Sequence, residues 1–477
     1  MKQIALSILL MFSLAAASAQ DSFSDSLRIE VGTQVQVASK GFQPLWAKAN
    51  RFGLASNEQF DQLTWLEASN THRLGSMRLL SDTASAVKLS YGATVFNAEH
   101  YRRTVLQQGY VQLTYKDWFI RGGRHRDLWD DLDPDLSMGS LGTSGNALPI
   151  PKITIGVNDF VRIPWTKGVL EFKGMLGHGW FGDNRFMDSW LHEKSFYGRI
   201  NFGKWKPYGG VQHYTEWGGQ RPANGISLDR SFRGFLDVLF VSESNDGSVP
   251  DIGIRPNRAG DQRGLAELGF YFDSDKFSLH FYNQTPFESG KGIDIRNMDR
   301  LAGLRLDNKN RKHWLQSVVV EFIYTKQMEG FSDGERQSLY NNGSYKTGWE
   351  YEGKVVGNAL LTNRTYASDY LPIEPLDWVN ANNESSNIIN NRLVGGNVAG
   401  QFKLSDSWAF RAKVTPVINY GSRQMQYLYG DGQFECYSLM EIRHTIGQWK
   451  LGARVAADFG QLYSNVGGIL SVNYAIR

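Results

Sequence analysis

The stretch "LRIEVGTQVQV", Leu27 to Val37, decides the fold. Leu27, Ile29, Val31, Thr33, Val35 and Val37 alternate with Arg28, Glu30, Gly32, Gln34 and Gln36. Successive side chains of a strand point to opposite faces, so this segment offers one face to lipid and the other to water. The C-terminal end repeats the pattern, with Leu470, Val472, Tyr474 and Ile476 set against Ser471, Asn473, Ala475 and Arg477. Similar faces occur at Val87 to Val95, at Ser195 to Phe202 and at Leu451 to Phe459. A strand with a lipid face cannot leave backbone groups unpaired in hydrocarbon, so these strands must close into a barrel. A large soluble all-β protein also has alternating strands and is the competing reading.

Composition suits the barrel. The chain has 50 Gly among 477 residues and 13% aromatics, with a mean hydropathy of −0.38. That is too polar for a helical membrane protein but suits a barrel with a wet lumen and aromatic girdles at both interfaces. No apolar run after the N-terminus reaches the roughly 20 residues of a spanning helix. The fold class expected is therefore all-β, a transmembrane outer-membrane β-barrel. At roughly 25 residues per strand and loop, the chain accommodates about 18 antiparallel strands.

The N-terminal "MKQIALSILLMFSLAAASA", residues 1–19, has one Lys, an apolar run and an Ala17-Ser18-Ala19 ending, the layout of a cleaved export signal. Residues 20–477 then form one barrel domain. The single cysteine, Cys436, excludes an internal disulfide and argues against zinc ribbons and redox pairs. A net charge of +3 without a long basic tract excludes nucleic acid as an expected partner. No cofactor is expected.

Short connections, Thr166-Lys167-Gly168 and Gly203 to Pro207, are expected on the periplasmic side, and long ones outside. Between Lys326 and Arg392, turn lengths counted from the two chain ends disagree by one strand. Residues 39–86, with "FDQLTWLEAS" and "HRLGSMRLLS", read as a helical subregion of unassigned side. The 218–262 connection is expected to be a long loop. In it "SLDRSFRGFLDVLFVSES" has helical spacing after a Ser227 cap, with a further strand as the alternative; such a helix could fold over the pore.

Saccharide recognition needs aromatic rings under sugar faces and polar groups directed at hydroxyls. The expected polysaccharide-binding set is Trp180, Asp183, Asn184, Arg185, Trp190, His192, Glu193, His213, Glu216 and Trp217, gathered at the outer mouth. The Trp residues also suit an aromatic girdle, and His213 a hydrogen-bonded lumen position. Asp131, Asp133 and Asp135 in "RHRDLWDDLDPDLS" alternate as in some calcium loops. They lack the sixth-place Gly and closing Glu of an EF-hand, so a solvated loop is expected and no metal. "LHEK" at Leu191 is not HExxH, and no GxSxG is present, so no catalytic residue is assigned. Asp183, Glu193 and Glu216 are the carboxylates a glycosidase would draw on.

Seven ordered segments carry a family likeness: "PLWAKANRFGLAS" from Pro44, "GTSGNALPIPKI" from Gly142, "WLHEKSFYGRINF" from Trp190, "YGGVQHYTEWGG" from Tyr208, "NRAGDQRG" from Asn257, "YNQTPFESGKGIDIRNMDRLAGLRL" from Tyr282 and "YNNGSYKTGWEYEGKVVGNALLT" from Tyr340. With them the chain resembles the Wzi-type capsule assembly protein family of Gram-negative outer membranes. The resemblance implies a monomeric barrel with helices at its periplasmic end and loops occluding the lumen. It implies a lectin-like role in which capsular polysaccharide or exopolysaccharide, outer-membrane lipid and the polysaccharide export machinery are the partners. The terminal Tyr474-Ala475-Ile476-Arg477 departs from the terminal Phe common in such barrels. A passive porin for sugars and a glycan-processing enzyme are the alternatives.

Overall fold

The computed structural model describes residues 26–77, 85–222, 224–242, 258–288, 292–293, 296–327, 338–381 and 386–476; the export signal lies outside them. Eighteen strands form the wall. They are β1 (Arg28–Phe42), β2 (Glu58–Met77), β3 (Ser85–Ala98), β4 (Arg103–Tyr115), β5 (Trp118–Arg124), β6 (Lys152–Arg162), β7 (Leu170–Trp180), β8 (Asp188–Ile200) and β9 (Trp205–Gln220), followed by β10 (Asp261–Asp273), β11 (Phe277–Phe287), β12 (Arg300–Asn308), β13 (Leu315–Tyr324), β14 (Leu393–Lys403), β15 (Trp408–Asn419), β16 (Gln433–Ile446), β17 (Trp449–Gly460) and β18 (Ser464–Ala475). Each pairs antiparallel with its sequence neighbours, and β1 pairs with β18 from Glu30↔Ala475 to Ala38↔Gly467, closing the sheet. No edge remains for lipid to meet.

The opening stretch behaves as its period demands. Val31, Val35 and Val37 face outward and are exposed, whereas Gln34 and Gln36 are buried in the interior. On β18, Val466, Leu470 and Val472 face out, with Asn465 and Ile469 buried inside. The described chain ends and the short connections, among them 116–117, 163–169, 201–204 and 447–448, lie at one end. The long connections lie at the other. Short turns mark the periplasmic end of such barrels, so the long connections are extracellular. Among the described residues no helix is long and apolar enough to cross a membrane. A closed barrel with an apolar outer band belongs in the Gram-negative outer membrane.

The extracellular half of the lumen is filled. Residues 125–151 and the described parts of 338–392 fold inward with 43–57 to build a core containing Trp46, Leu141, Tyr340, Trp349 and Leu360. Polar wall residues fasten it. Glu321 on β13 accepts from the Met138 backbone N–H at 2.7 Å, from the Tyr282 hydroxyl at 2.6 Å and from Asn397 Nδ2 at 2.9 Å. Tyr340 and Trp349 donate to the carbonyls of Leu141 and Gly142 at 2.6 and 2.7 Å.

This plug explains the departures from the sequence reading. Residues 39–86 are not a helical subregion: the described part is mostly β1 and β2, with one turn of helix α1 (Leu45–Lys48) between them. Phe60 and Leu66 face out, but Leu63 is buried against the plug, so both faces of β2 carry apolar residues and the alternation blurs into a three-residue spacing. The periplasmic helices implied by the resemblance are not seen among the described residues. Instead α1 sits in the loop-side lumen, its Leu45 N–H donating to Asp458 at 2.7 Å and Trp46 Nε1 to Thr415 at 3.1 Å. The disputed 326–392 span contributes no wall strand among its described residues; it holds two two-residue ladders and a short helix, Arg364–Ala367.

Candidate functional site

The ten expected site residues sit on three adjacent strands, β7 to β9, and the loop joining the first two. Period two divides them. Phe196, Val211 and Leu176 mark the outward face of these strands, and Trp180, Trp190, His192, His213 and Trp217 share that face. Glu193 and Glu216 point inward. The structure therefore does not gather the set around one mouth; it places half outside the wall and the carboxylates within.

Outside, the rings form one cluster. Trp190 and Trp217 meet edge-on at 5.1 Å, and His178 lies 5.2 Å from Trp180 and 5.6 Å from Trp190. Helix α2 (Phe232–Phe240) covers this cluster, with Phe235 5.5 Å from His192 and 6.1 Å from Trp217, and Val238 buried beside Trp217. The helix expected in 218–262 is thus present, but it packs on the outer wall and does not fold over the pore. Its cap is Ser231, which accepts from the Gly234 N–H at 3.1 Å, not Ser227. Ser227 pairs instead in a two-residue ladder with Gln220.

Inside, the charges are spoken for. Arg185 Nη2 donates to both Glu216 oxygens at 2.9 and 3.0 Å and to the Gly348 carbonyl at 3.0 Å, and Ser189 donates to Glu216 at 2.6 Å. The pair is buried and ties the 338–392 connection to the wall. Glu193 accepts from Lys152 at 2.5 Å, and Lys152 also pairs with Asp127 at 3.5 Å. Neither carboxylate is spare for acid or base work, since each faces its own cation.

His192, Trp217 and His213 are buried, Trp190 is half-buried, and Trp180, Asp183 and Asn184 are exposed. The accessible remnant of the expected set is the ledge from Trp180 to Asn184. The Asp131, Asp133 and Asp135 row lies inside the lumen, with Asp135 still exposed, and each carboxylate meets a wall cation. Asp131 pairs with Lys173 at 2.9 Å, Asp133 with Arg305 at 3.7 Å, and Asp135 with Arg411 and Arg443. These four pairs bind the plug to three sectors of the wall. The resemblance implied loops in the lumen but not which segments form the plug, although an acidic run matched by Lys and Arg on inward strand positions was an available signal.

No protein-family model matches the chain, and no curated protein matches it by sequence. Among solved structures it is similar to Wzi of Escherichia coli, described as an outer membrane protein involved in group 1 capsule assembly and a carbohydrate-binding β-barrel. The identity is 12%, the match covers 99% of this chain and 87% of that one, and the TM-score is 0.56. It also matches OccAB2 of Acinetobacter baumannii (10% identity, 95% and 98% covered, TM-score 0.48) and OccK5 of Pseudomonas aeruginosa (8%, 95% and 98%, 0.47). The likeness to Wzi is one of fold. Fold and site together define the class: an 18-stranded outer-membrane β-barrel whose extracellular half is filled by its own connections.

Proposed function

We propose that this barrel is a monomeric lectin-like protein that retains exported capsular polysaccharide or exopolysaccharide at the cell surface. The observation that carries the reading is the folded plug. Trp349, Tyr340 and their neighbours occupy the loop-side lumen, which supports work at the outer surface over passage of solute. The fold likeness to a carbohydrate-binding barrel supports the same reading. The exposed Trp180 supplies a stacking platform at the loop end, and Asp183 and Asn184 beside it supply hydrogen-bonding groups. A polymer held by many weak contacts needs no deep pocket.

The test compares cell-bound with shed polysaccharide for the parent and for a Trp180→Ala, Asp183→Ala, Asn184→Ala variant at matched barrel levels. The expected result is normal assembly with more polysaccharide shed. Retention equal to the parent's would remove this ledge as the binding surface. A passive sugar porin, the competing function, requires large stable conductance from the parent protein in a planar bilayer.

A further inference from the structure

Below the plug the described residues leave space. A recess of about 480 Å³ opens among the periplasmic turns, beside Asp406, Ser407 and Lys450. Above it lies a second space of about 240 Å³, and Asp135 and Arg454 line both. The upper space is strongly cationic: Arg51, Arg126, Arg411, Lys413 and Arg454 face only two carboxylates, Glu67 and Asp135.

Several of these cations are neutralised. Arg126 holds both Glu67 oxygens at 2.8 Å, and Arg411 and Arg454 share Glu441. Arg51 and Lys413 are different, for neither forms an ion pair among the described residues. The Arg51 guanidinium donates to Gln34 Oε1 at 2.7 Å and to the Ala47 carbonyl at 3.5 Å, both neutral. Burial, with the positive charge of Arg454 and Arg411 outweighing the help of Glu441 and Asp135, pushes its pKa well below the usual guanidinium value. A buried cation in that condition is costly until an anion joins it. Arg411, only 5% exposed, also keeps its Nε without a hydrogen-bond partner among the described residues.

The space also has an aromatic wall. Trp65 lies flat against β1, where a Cβ at Gly32 would stand 2.2 Å from its ring carbons; only a hydrogen at that position lets the ring rest there. Gln34, the Arg51 partner, is the next inward residue along the same strand. Guanidinium and indole are thus one rung apart on one surface of the cavity.

We propose that the upper space, which adjoins the periplasmic recess at Asp135 and Arg454, is a binding site for an acidic sugar unit, its carboxylate paired with Arg51 and its ring stacked on Trp65. A planar fork suits a carboxylate, and an indole face suits the apolar side of a pyranose. The site is separate from the extracellular ledge, and its success or failure leaves the surface reading untouched.

The experiment is isothermal titration of the purified barrel in detergent with glucuronate, glucose and inorganic phosphate, on the parent, Arg51→Gln and Trp65→Leu, each checked for heat-modifiable migration. The expected result is saturable glucuronate binding, at least tenfold weaker in either variant, with glucose and phosphate both poorer than glucuronate. Weaker binding in Trp65→Leu alone still supports the site should Arg51→Gln fail to assemble. Absence of glucuronate binding, equal binding by folded Arg51→Gln, or phosphate binding as tight as glucuronate would overturn the proposal.

Discussion

Glu321→Ala is the most informative single change in the plug. The carboxylate is buried and accepts from the Met138 N–H, the Tyr282 hydroxyl, Asn397 Nδ2 and the Ser137 hydroxyl. Alanine removes all four acceptor contacts without touching the wall ladder that β13 makes with β12 and β14. Hydroxyls can turn to new acceptors. The Met138 N–H and the Asn397 amide cannot move far, which leaves about two buried donors unsatisfied at about 2 kcal/mol each. The plug should lose about 4 kcal/mol of attachment. At 1.4 kcal/mol per tenfold, its detached fraction rises by roughly three powers of ten. In planar bilayers the parent should be nearly silent and the variant should show frequent flickering openings, while both migrate as folded barrels. A silent variant that assembles normally would mean that Glu321 does not hold the plug, and the assignment of the lumen seal would fail.

Other perturbations probe other parts. Arg185→Ala should lower the thermal midpoint of the barrel more than Arg185→Met with Glu216→Gln, because a lone buried carboxylate costs about 3 to 5 kcal/mol, whereas removing both charges leaves none behind; heat-modifiability against temperature reads this, and equal losses would contradict it. Leu470→Arg on the outward face should cost about 2 to 4 kcal/mol in assembly, and Ser471→Arg on the inward face far less; equal effects in a folding titration would mean the register is wrong. Gly32→Ala should displace Trp65 and weaken glucuronate binding while the barrel still assembles, a contrast read by titration. Phe235→Ala should loosen α2 from the outer wall and speed proteolysis near Arg233; unchanged cleavage would show that the His192 and Trp217 contacts do not hold the helix.

The wall was legible because alternation is strictest where one face meets lipid. Val31, Val35, Leu470 and Val472 announce their side, and the short turns announce theirs. The interior was not legible, for a physical reason. A plugged barrel has apolar residues on its inner face as well, so Leu63, Leu191 and Ile323 look like misplaced lipid residues until the core they join is seen. The site suffered from the opposite error. Trp190 and Glu193, or Glu216 and Trp217, are close in sequence, and proximity suggested one surface. An odd spacing along a strand puts them on opposite sides of the wall. Helix α2 was legible from its spacing, but its place was not, since an apolar stripe does not say which apolar surface it will meet.

The claim on which the rest stands is that folded chain occupies the extracellular half of the lumen. Hydrogen exchange on the parent barrel in detergent tests it directly, followed at the amides of Met138, Leu141, Trp349 and Val356. The Met138 N–H donates to Glu321 at 2.7 Å, that of Leu141 to Gln284 at 3.2 Å, and those of Trp349 and Val356 to backbone carbonyls at 2.9 and 3.0 Å, all in buried surroundings. These amides should exchange as slowly as those of the wall strands. Exchange as fast as that of an exposed loop such as Asp183 and Asn184 would contradict it.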